Sequence, residues 1–376
     1  MPLTPTRAVP FFSYPHVFAS RKDDILAVVR DVGLRGAFIL QRDLVMFEEN
    51  LARFLGARYA LGVGNATDGL ILALRAAGIG HHDEEVILSS HTMIATAAAV
   101  HFAGATPIPV EAGPDHLIDP AAVESAITTR TSAIVPTQLN GRTCDMAALQ
   151  SIADRYGLMI IEDAAQALGS RFKGRCAGTF GSAAAISFYP AKVLGCLGDG
   201  GAVITSDDAT GERICQLRDH GRNTEGEIVS WGLNSRLDNL QAALLDLQLK
   251  NYENVMCYRR QLAALYNEHL RDVGEIVLPP APDSDPHHFD IYQNYEIEAE
   301  RRDDLKQYLK DQGIGTLVQW GGQAVHQLRA LGFTQHLPYT DCLFTRMLML
   351  PMNMSLSRDD VDYVCDHIRC FYGHSQ

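Results

Sequence analysis

The chain has 376 residues, 47% of them apolar and 20% charged, with a formal net charge of −13 at pH 7. This is the composition of a folded globular protein, long enough for about two to three domains, and its acidity argues against nucleic acid or an anionic membrane surface as the main partner. No apolar run approaches the roughly 18 residues of a membrane-spanning helix.

Met1 to Ser20 lacks the basic start and apolar run of a secretory signal. From about residue 58 to 205, short apolar runs then alternate with helical patterns. Strands are predicted at 59–63, 85–88, 107–110, 133–136, 158–161, 184–187 and 202–205, and helices at 68–77, 94–102, 120–127 and 146–156. The alternation predicts an α/β domain with a mainly parallel sheet, in which ligands sit beyond the carboxyl ends of the strands. An amphipathic stretch over 239–270 predicts one long connecting helix, and the Pro-rich run 278–286 predicts a loop. A strand at 292–299 and helices at 301–312 and 358–371 complete a smaller α+β domain. The chain is thus expected to divide into 1–250, N-terminal segment included, and 251–376. Eight scattered cysteines without a C-x-x-C pair are read as reduced, mostly buried thiols of a cytoplasmic protein. His81-His82 and His287-His288 are adjacent pairs with no cysteine beside them, so no metal site is expected.

The chemistry concentrates in a few segments. Asp163 ends an apolar strand in Glu162-Asp163-Ala164-Ala165-Gln166, and Lys192 lies in Ser187-Phe188-Tyr189-Pro190-Ala191-Lys192-Val193-Leu194-Gly195. A lysine amine can form a Schiff base with an aldehyde. A strand-end carboxylate can hold the protonated ring nitrogen of pyridoxal phosphate (PLP) and make that ring an electron sink. Taken alone, Asp163 reads as the cap of a following helix and Lys192 as a solvated cation. The apolar flanks of Lys192 argue for a desolvated amine with a lowered pKa. In Gly62-Val63-Gly64-Asn65-Ala66-Thr67-Asp68-Gly69 a strand, a glycine turn and a helix start follow one another. The segment reads as a phosphate cradle with Ala66 and Thr67 at a helix N-terminus, as a plain Asn or Thr cap, or as a dinucleotide fingerprint lacking its third glycine. Gly198-Asp199-Gly200-Gly201 predicts close backbone approach. In Gly232-Leu233-Asn234-Ser235-Arg236-Leu237-Asp238, Asn234 or Ser235 reads as a cap and Arg236 as a surface cation.

These segments, in this order, resemble the DegT-type sugar aminotransferases, PLP enzymes of the aspartate-aminotransferase fold (fold type I), over about residues 14–371. The resemblance implies that Lys192 forms the Schiff base and moves protons, that Asp163 pairs with the ring nitrogen and that Gln166 contacts the ring hydroxyl oxygen. It implies a phosphate site of Ala66, Thr67 and Ser187, completed by Asn234 from the other subunit of a homodimer, with Arg236 near a substrate anion. Glutamate is the implied amino donor and a nucleotide-linked keto-sugar the acceptor. The Tyr-Pro-x-Lys-x-Leu-Gly and Gly-Asp-Gly-Gly wording is more similar to members that aminate C3 than to those that aminate C4.

Three segments depart from the family pattern. Met93 stands where an aromatic residue usually covers the ring, and a thioether can still pack there. Leu139-Asn140-Gly141 replaces Leu-Tyr-Gly, and Val318-Gln319-Trp320-Gly321-Gly322 replaces a His-Tyr-Pro segment. Asn140, Gln319 and Trp320 are therefore expected around the sugar or nucleotide. The competing readings are a PLP-dependent sugar dehydratase, which carries histidine in place of the lysine, a non-catalytic regulator of the same fold, and an NAD-linked oxidoreductase resting on Gly62-x-Gly64 alone.

Overall fold

The computed structural model describes residues 7–374. In chain order the strands are β1 (Tyr59–Val63), β2 (Glu85–Ser89), β3 (Thr106–Val110), β4 (Thr131–Val135), β5 (Met159–Asp163), the short β6 (Arg171–Phe172) and β7 (Arg175–Cys176), β8 (Ala183–Ser187), β9 (Gly201–Thr205), β10 (Ile276–Val277), β11 (His288–Phe289), β12 (Tyr295–Ala299) and β13 (Met347–Leu350). The central sheet runs β1-β9-β8-β5-β4-β2-β3. Its strands are parallel except β9, which is antiparallel to both neighbours. All seven predicted strands are present. Both faces are covered, so alternate residues serve two cores. Ala183, Ala185 and Val203 pack with Leu72, Leu74 and Val100 on one side. Ala184, Ile186, Ala202 and Ile204 pack with Phe47, Leu51 and Phe188 on the other. Each fully buried Leu, Ile, Val or Phe contributes about 1.5–3 kcal/mol, and this two-sided burial fixes the strand ends that carry the site.

The expected single helix over 239–270 is two, Asn239–Leu249 and Tyr252–Leu270, separated at Lys250-Asn251. The bend has a packing reason. Ala242, Leu245, Tyr252 and Met256 belong to a core of the large sheet, whereas Leu262, Ala263, Tyr266 and Leu270 belong to a third core under β10-β12-β13. Val9 also lies in that third core and bridges Ile314, so this residue of the N-terminal segment packs with the C-terminal part of the chain. The eight thiols are unpaired, but they are not mostly buried. Cys215, Cys257, Cys342 and Cys370 are exposed on the outer faces of helices. Among the described residues no helix is long and apolar enough to cross a membrane.

Candidate active site

β5 delivers two carboxylates to opposite faces. Glu162 is fully buried and accepts from the main-chain N–H groups of Gly178, Phe180 and Gly181 and from Gln138, so it anchors the 176–181 loop. Asp163 is turned toward the site and is also buried. Its Oδ2 accepts from Thr96 Oγ1 at 2.6 Å and its Oδ1 from the Ala165 N–H at 3.1 Å. Thr96 is joined to Thr92, and Thr92 to Thr137, each at 2.8 Å. Burial pushes the Asp163 carboxyl up, opposed by Thr96, Ala165 and the positive charge of Lys192. No helix follows Asp163; the chain turns through 164–169, so the capping reading of this residue fails.

Lys192 lies in the tight turn after β8, its N–H donating to Tyr189 O at 2.8 Å. Burial lowers its ammonium to about 8, against the upward pull of Asp163. Gln293 straddles the lysine. Its Oε1 accepts from the Val193 N–H at 2.9 Å and its Nε2 donates to Ala191 O at 3.0 Å. The lysine is thus partly desolvated, held on both sides and within electrostatic reach of a buried acid. The solvated-cation reading does not describe it.

A cradle lies at the ends of β1, β8 and β9. Asn65 is the N-cap of the Ala66–Ala76 helix, its Oδ1 accepting from the Asp68 N–H at 2.8 Å. A helix start leaves its first N–H groups without acceptors inside the helix, here those of Ala66 and Thr67. Ser187 pairs with Gly201 across β8 and β9. A Cβ on Gly201 would sit 2.8 Å from Ala66 N and 2.6 Å from Asn65 C, so only glycine lets this backbone lie against the helix start. The predicted close approach is real, and it brings Ala66, Thr67 and Ser187 to one place with unpaired N–H groups at a positive helix end.

Residues 19–369 match the DegT/DnrJ/EryC1/StrS aminotransferase family. The chain belongs to this family. It is 40% identical over 370 residues to the dTDP-3-amino-3,4,6-trideoxy-alpha-D-glucose transaminase of Streptomyces venezuelae, covering 97% of this chain and 96% of the relative. It is 38% identical over 371 residues to a "Pleiotropic regulatory protein" of Geobacillus stearothermophilus, covering 97% and 99%. Among solved structures it superposes on S. venezuelae DesV in complex with a ketimine intermediate with a TM-score of 0.94, 39% identity and coverage of 99% and 100%. As a DegT-family member the chain is an aminotransferase dependent on PLP, and its residues fit that group. The cradle has room for backbone and no room for a Cβ at Gly201, a buried carboxylate lies within electrostatic reach of the lysine, and burial lowers the lysine to about 8, toward the neutral amine.

The other expected residues of this DegT-family site divide into two sets. Met93 is the N-cap of the Ile94–Ala103 helix and is half exposed, three residues before Thr96. Asn140, Gln166 and Gln319 are brought together. Gln166 Oε1 accepts from the Asn140 N–H at 2.9 Å and from Asn294 Nδ2 at 3.2 Å. Asn140 Oδ1 accepts from Asn294 Nδ2 and from Gln319 Nε2, both at 2.8 Å, and Gln319 Nε2 also reaches Glu296 Oε2 at 2.7 Å. Asn140, which stands in place of the family's tyrosine, and Gln319, in the segment that replaces His-Tyr-Pro, therefore bond to each other. Asn140 and Trp320 both adopt left-handed backbone, at φ 55 and φ 47, a conformation that costs a non-glycine residue of order 1–3 kcal/mol. Trp320 packs edge-on to His91 at 5.3 Å and stacks with Phe344 at 6.4 Å.

Behind this wall, buried Glu296 accepts from His116 Nδ1 at 2.9 Å, and His116 Nε2 meets Glu298 at 3.3 Å. Burial alone would depress His116, but the two carboxylates lift it to about 9. Sequence reasoning missed Thr96, His116, Gln293, Asn294 and Glu296. A polar residue inside the apolar Ile94–Ala103 run, and the glutamate at 296 between apolar strand residues, were the available signals.

Asn234 and Arg236 stand apart from this set. Asn234 is exposed and bridges Asp219, and Arg236 Nη1 pairs with Asp219 Oδ1 at 2.8 Å. Neither Asn234 nor Ser235 caps a helix. The next helix begins at Asn239 after Asp238, and Ser235 Oγ instead accepts from the Gly64 N–H and donates to Asp68 Oδ2. The preceding loop exposes Ile228, Val229 and Trp231, the last at 96%.

Proposed function

We propose that this chain moves an amino group from glutamate to a keto carbon, C3 in preference to C4, of a nucleotide-linked sugar in amino-sugar biosynthesis for surface polysaccharides or natural products. The observation that carries the reading is the half-buried Lys192, its amine within electrostatic reach of the buried Asp163 carboxylate, beside a phosphate cradle. The name of the 40%-identical S. venezuelae transaminase supports C3 and the nucleotide sugar. When bound, PLP supplies an aldehyde for Lys192 and an electron sink for the carbanion.

The chain's own residues do the rest. Ala66, Thr67 and Ser187 hold the phosphate. Asp163, whose negative charge Thr96 and Ala165 favour against its burial, would hold a proton on the ring nitrogen. Gln166 meets the ring hydroxyl oxygen and Met93 lies against the ring face. Lys192, once its amine is free, takes a proton from one reacting carbon and returns it to the other, a task suited to a group with a pKa near neutrality. Asn140, Gln319 and Trp320 form the wall toward the sugar. Residues 1–250, apart from Val9, which packs with the C-terminal core, carry the cofactor and 251–376 close the site. Two copies of the chain complete each other's sites, with the exposed Ile228-Val229-Trp231 loop seated on the partner and Asn234 and Arg236 reaching its phosphate and substrate. The unpaired thiols suit the cytoplasm.

Purified protein loaded with PLP is expected to lose its visible band on addition of glutamate and to regain it with a nucleotide-linked 3-keto-sugar. Lys192→Ala is expected to lose transamination by at least about 10²–10⁴-fold. Full activity in that variant would overturn the assignment. The name of the Geobacillus relative makes the regulator reading worth the same assay: PLP retention with no response to glutamate favours it. Loss of a sugar hydroxyl as water, giving a deoxy-ketosugar that carries no amine, favours the dehydratase.

A further inference from the structure

We propose that Asn294 is a positioning residue of the active site, fixing which end of the Gln166 carboxamide faces the cofactor; this rests on the reading above that Gln166 meets the ring hydroxyl oxygen. An amide side chain can present either its oxygen or its NH2. At Gln166 the choice is made by two donors that converge on Oε1, the Asn140 N–H and Asn294 Nδ2. With Oε1 engaged by protein, Nε2 is the end left for the ring oxygen, so Gln166 acts as a donor.

Asn294 is itself well determined. It is buried, and its Nδ2 is shared between Gln166 Oε1 and Asn140 Oδ1. Its backbone is aimed by Tyr292, which holds left-handed φ 50 two residues earlier. Arg259, buried and lowered to about 10, donates to Tyr292 O, Gln293 O and Met352 O and so fixes the segment. Gly141 completes the fit, since a Cβ there would lie 2.6 Å from Gln293 N and 2.7 Å from Tyr292 N. One short segment therefore places Gln293 on both flanks of Lys192 and Asn294 on Gln166.

A donor at the ring oxygen spreads that oxygen's negative charge. An undisturbed negative charge there favours the protonated state of the nearby lysine-derived nitrogen. Removing the donor, or turning the carboxamide so that its oxygen faces the ring, therefore raises the pH at which the visible band of the loaded enzyme titrates.

The test follows that midpoint in the PLP-loaded wild type, Gln166→Leu, Asn294→Leu and the double variant, with Asn294→Ala used if the leucine variant does not fold. Gln166→Leu is expected to raise the midpoint by about one pH unit, a tenfold change in proton affinity. The Asn294 variant is expected to raise it in the same direction, and the double variant no further than Gln166→Leu alone, because the two residues act in series. A shift in Gln166→Leu without one in the Asn294 variant overturns the proposal and leaves the Gln166 reading standing, as do shifts that add in the double variant. No shift in Gln166→Leu overturns both.

Discussion

Thr96 donates its hydroxyl hydrogen to Asp163 Oδ2 across 2.6 Å. The acceptor is a buried carboxylate that burial itself pushes toward the neutral form, so this single hydroxyl has two effects, on stability and on ionisation. Thr96→Val removes the donor at nearly constant shape. A hydrogen bond to a charged group is worth about 1.5–3 kcal/mol, and urea unfolding at neutral pH should show a loss of this size. Turnover should fall about tenfold or more as the proton on the ring nitrogen is held less firmly. Unchanged turnover would mean that Thr96 serves the fold alone.

Gly201→Ala tests the cradle. Its Cβ would meet Asn65 C at 2.6 Å and Ala66 N at 2.8 Å, both backbone atoms that cannot swing away. Relieving such a clash typically costs about 1–3 kcal/mol, so PLP binding, measured by equilibrium dialysis, should weaken about tenfold or more. If PLP binds with wild-type affinity, its phosphate lies elsewhere.

The Lys192 amine should reveal itself before any cofactor is added. Its ammonium titrates near 8 rather than at the ordinary lysine value of 10.5. Acetylation of Lys192 in cofactor-free protein, followed by peptide mass spectrometry, should therefore rise with pH to a midpoint near 8. Asp163→Asn should move that midpoint down, because the Asp163 charge is the influence holding it up. A midpoint near 10 would show an open, solvated amine.

His116 should give the protein a stability that fades in alkali. Its folded pKa is raised to about 9, above the roughly 6.5 of an unfolded histidine. The stabilisation is fully present below about pH 6.5 and is lost as pH rises through about 9. The melting temperature of the wild type should fall across that window more than that of His116→Gln. Parallel curves would show that the Glu296 and Glu298 contacts contribute nothing through charge.

The site was legible where chemistry and backbone coincide in sequence. Lys192, Asp163 and the Ala66-Thr67 helix start sit on the ends of strands whose apolar runs are short and clear, so their placement followed from topology. Of the threonine chain, the Gln293-Asn294 segment and the His116–Glu296 pair, the sequence carried at most a polar residue among apolar ones, because the partners that give each its role lie far away along the chain. Thr96 meets Asp163 across 67 positions and Asn140 meets Gln319 across 179. The bend at Lys250-Asn251 carries neither proline nor glycine; it arises because one amphipathic sequence serves two cores. The Arg42–Leu55 helix, by contrast, could have been read, since Leu44, Phe47, Leu51 and Leu55 keep helical spacing and Gly56 ends it at φ 72.

The chain's two tryptophans give it two colours of light. Trp231 stands almost wholly in water, while Trp320 packs in one cluster with His91 and Phe344 beside the site. Their fluorescence therefore separates without any added dye. Covering the Trp231 loop shifts the red emission toward blue, and a ligand settling against Trp320 alters the blue component. With Trp320→Phe in hand, a dilution series would test the proposed assembly through the remaining tryptophan; with Trp231→Phe, a titration would test the proposed arrival of ligand beside Trp320.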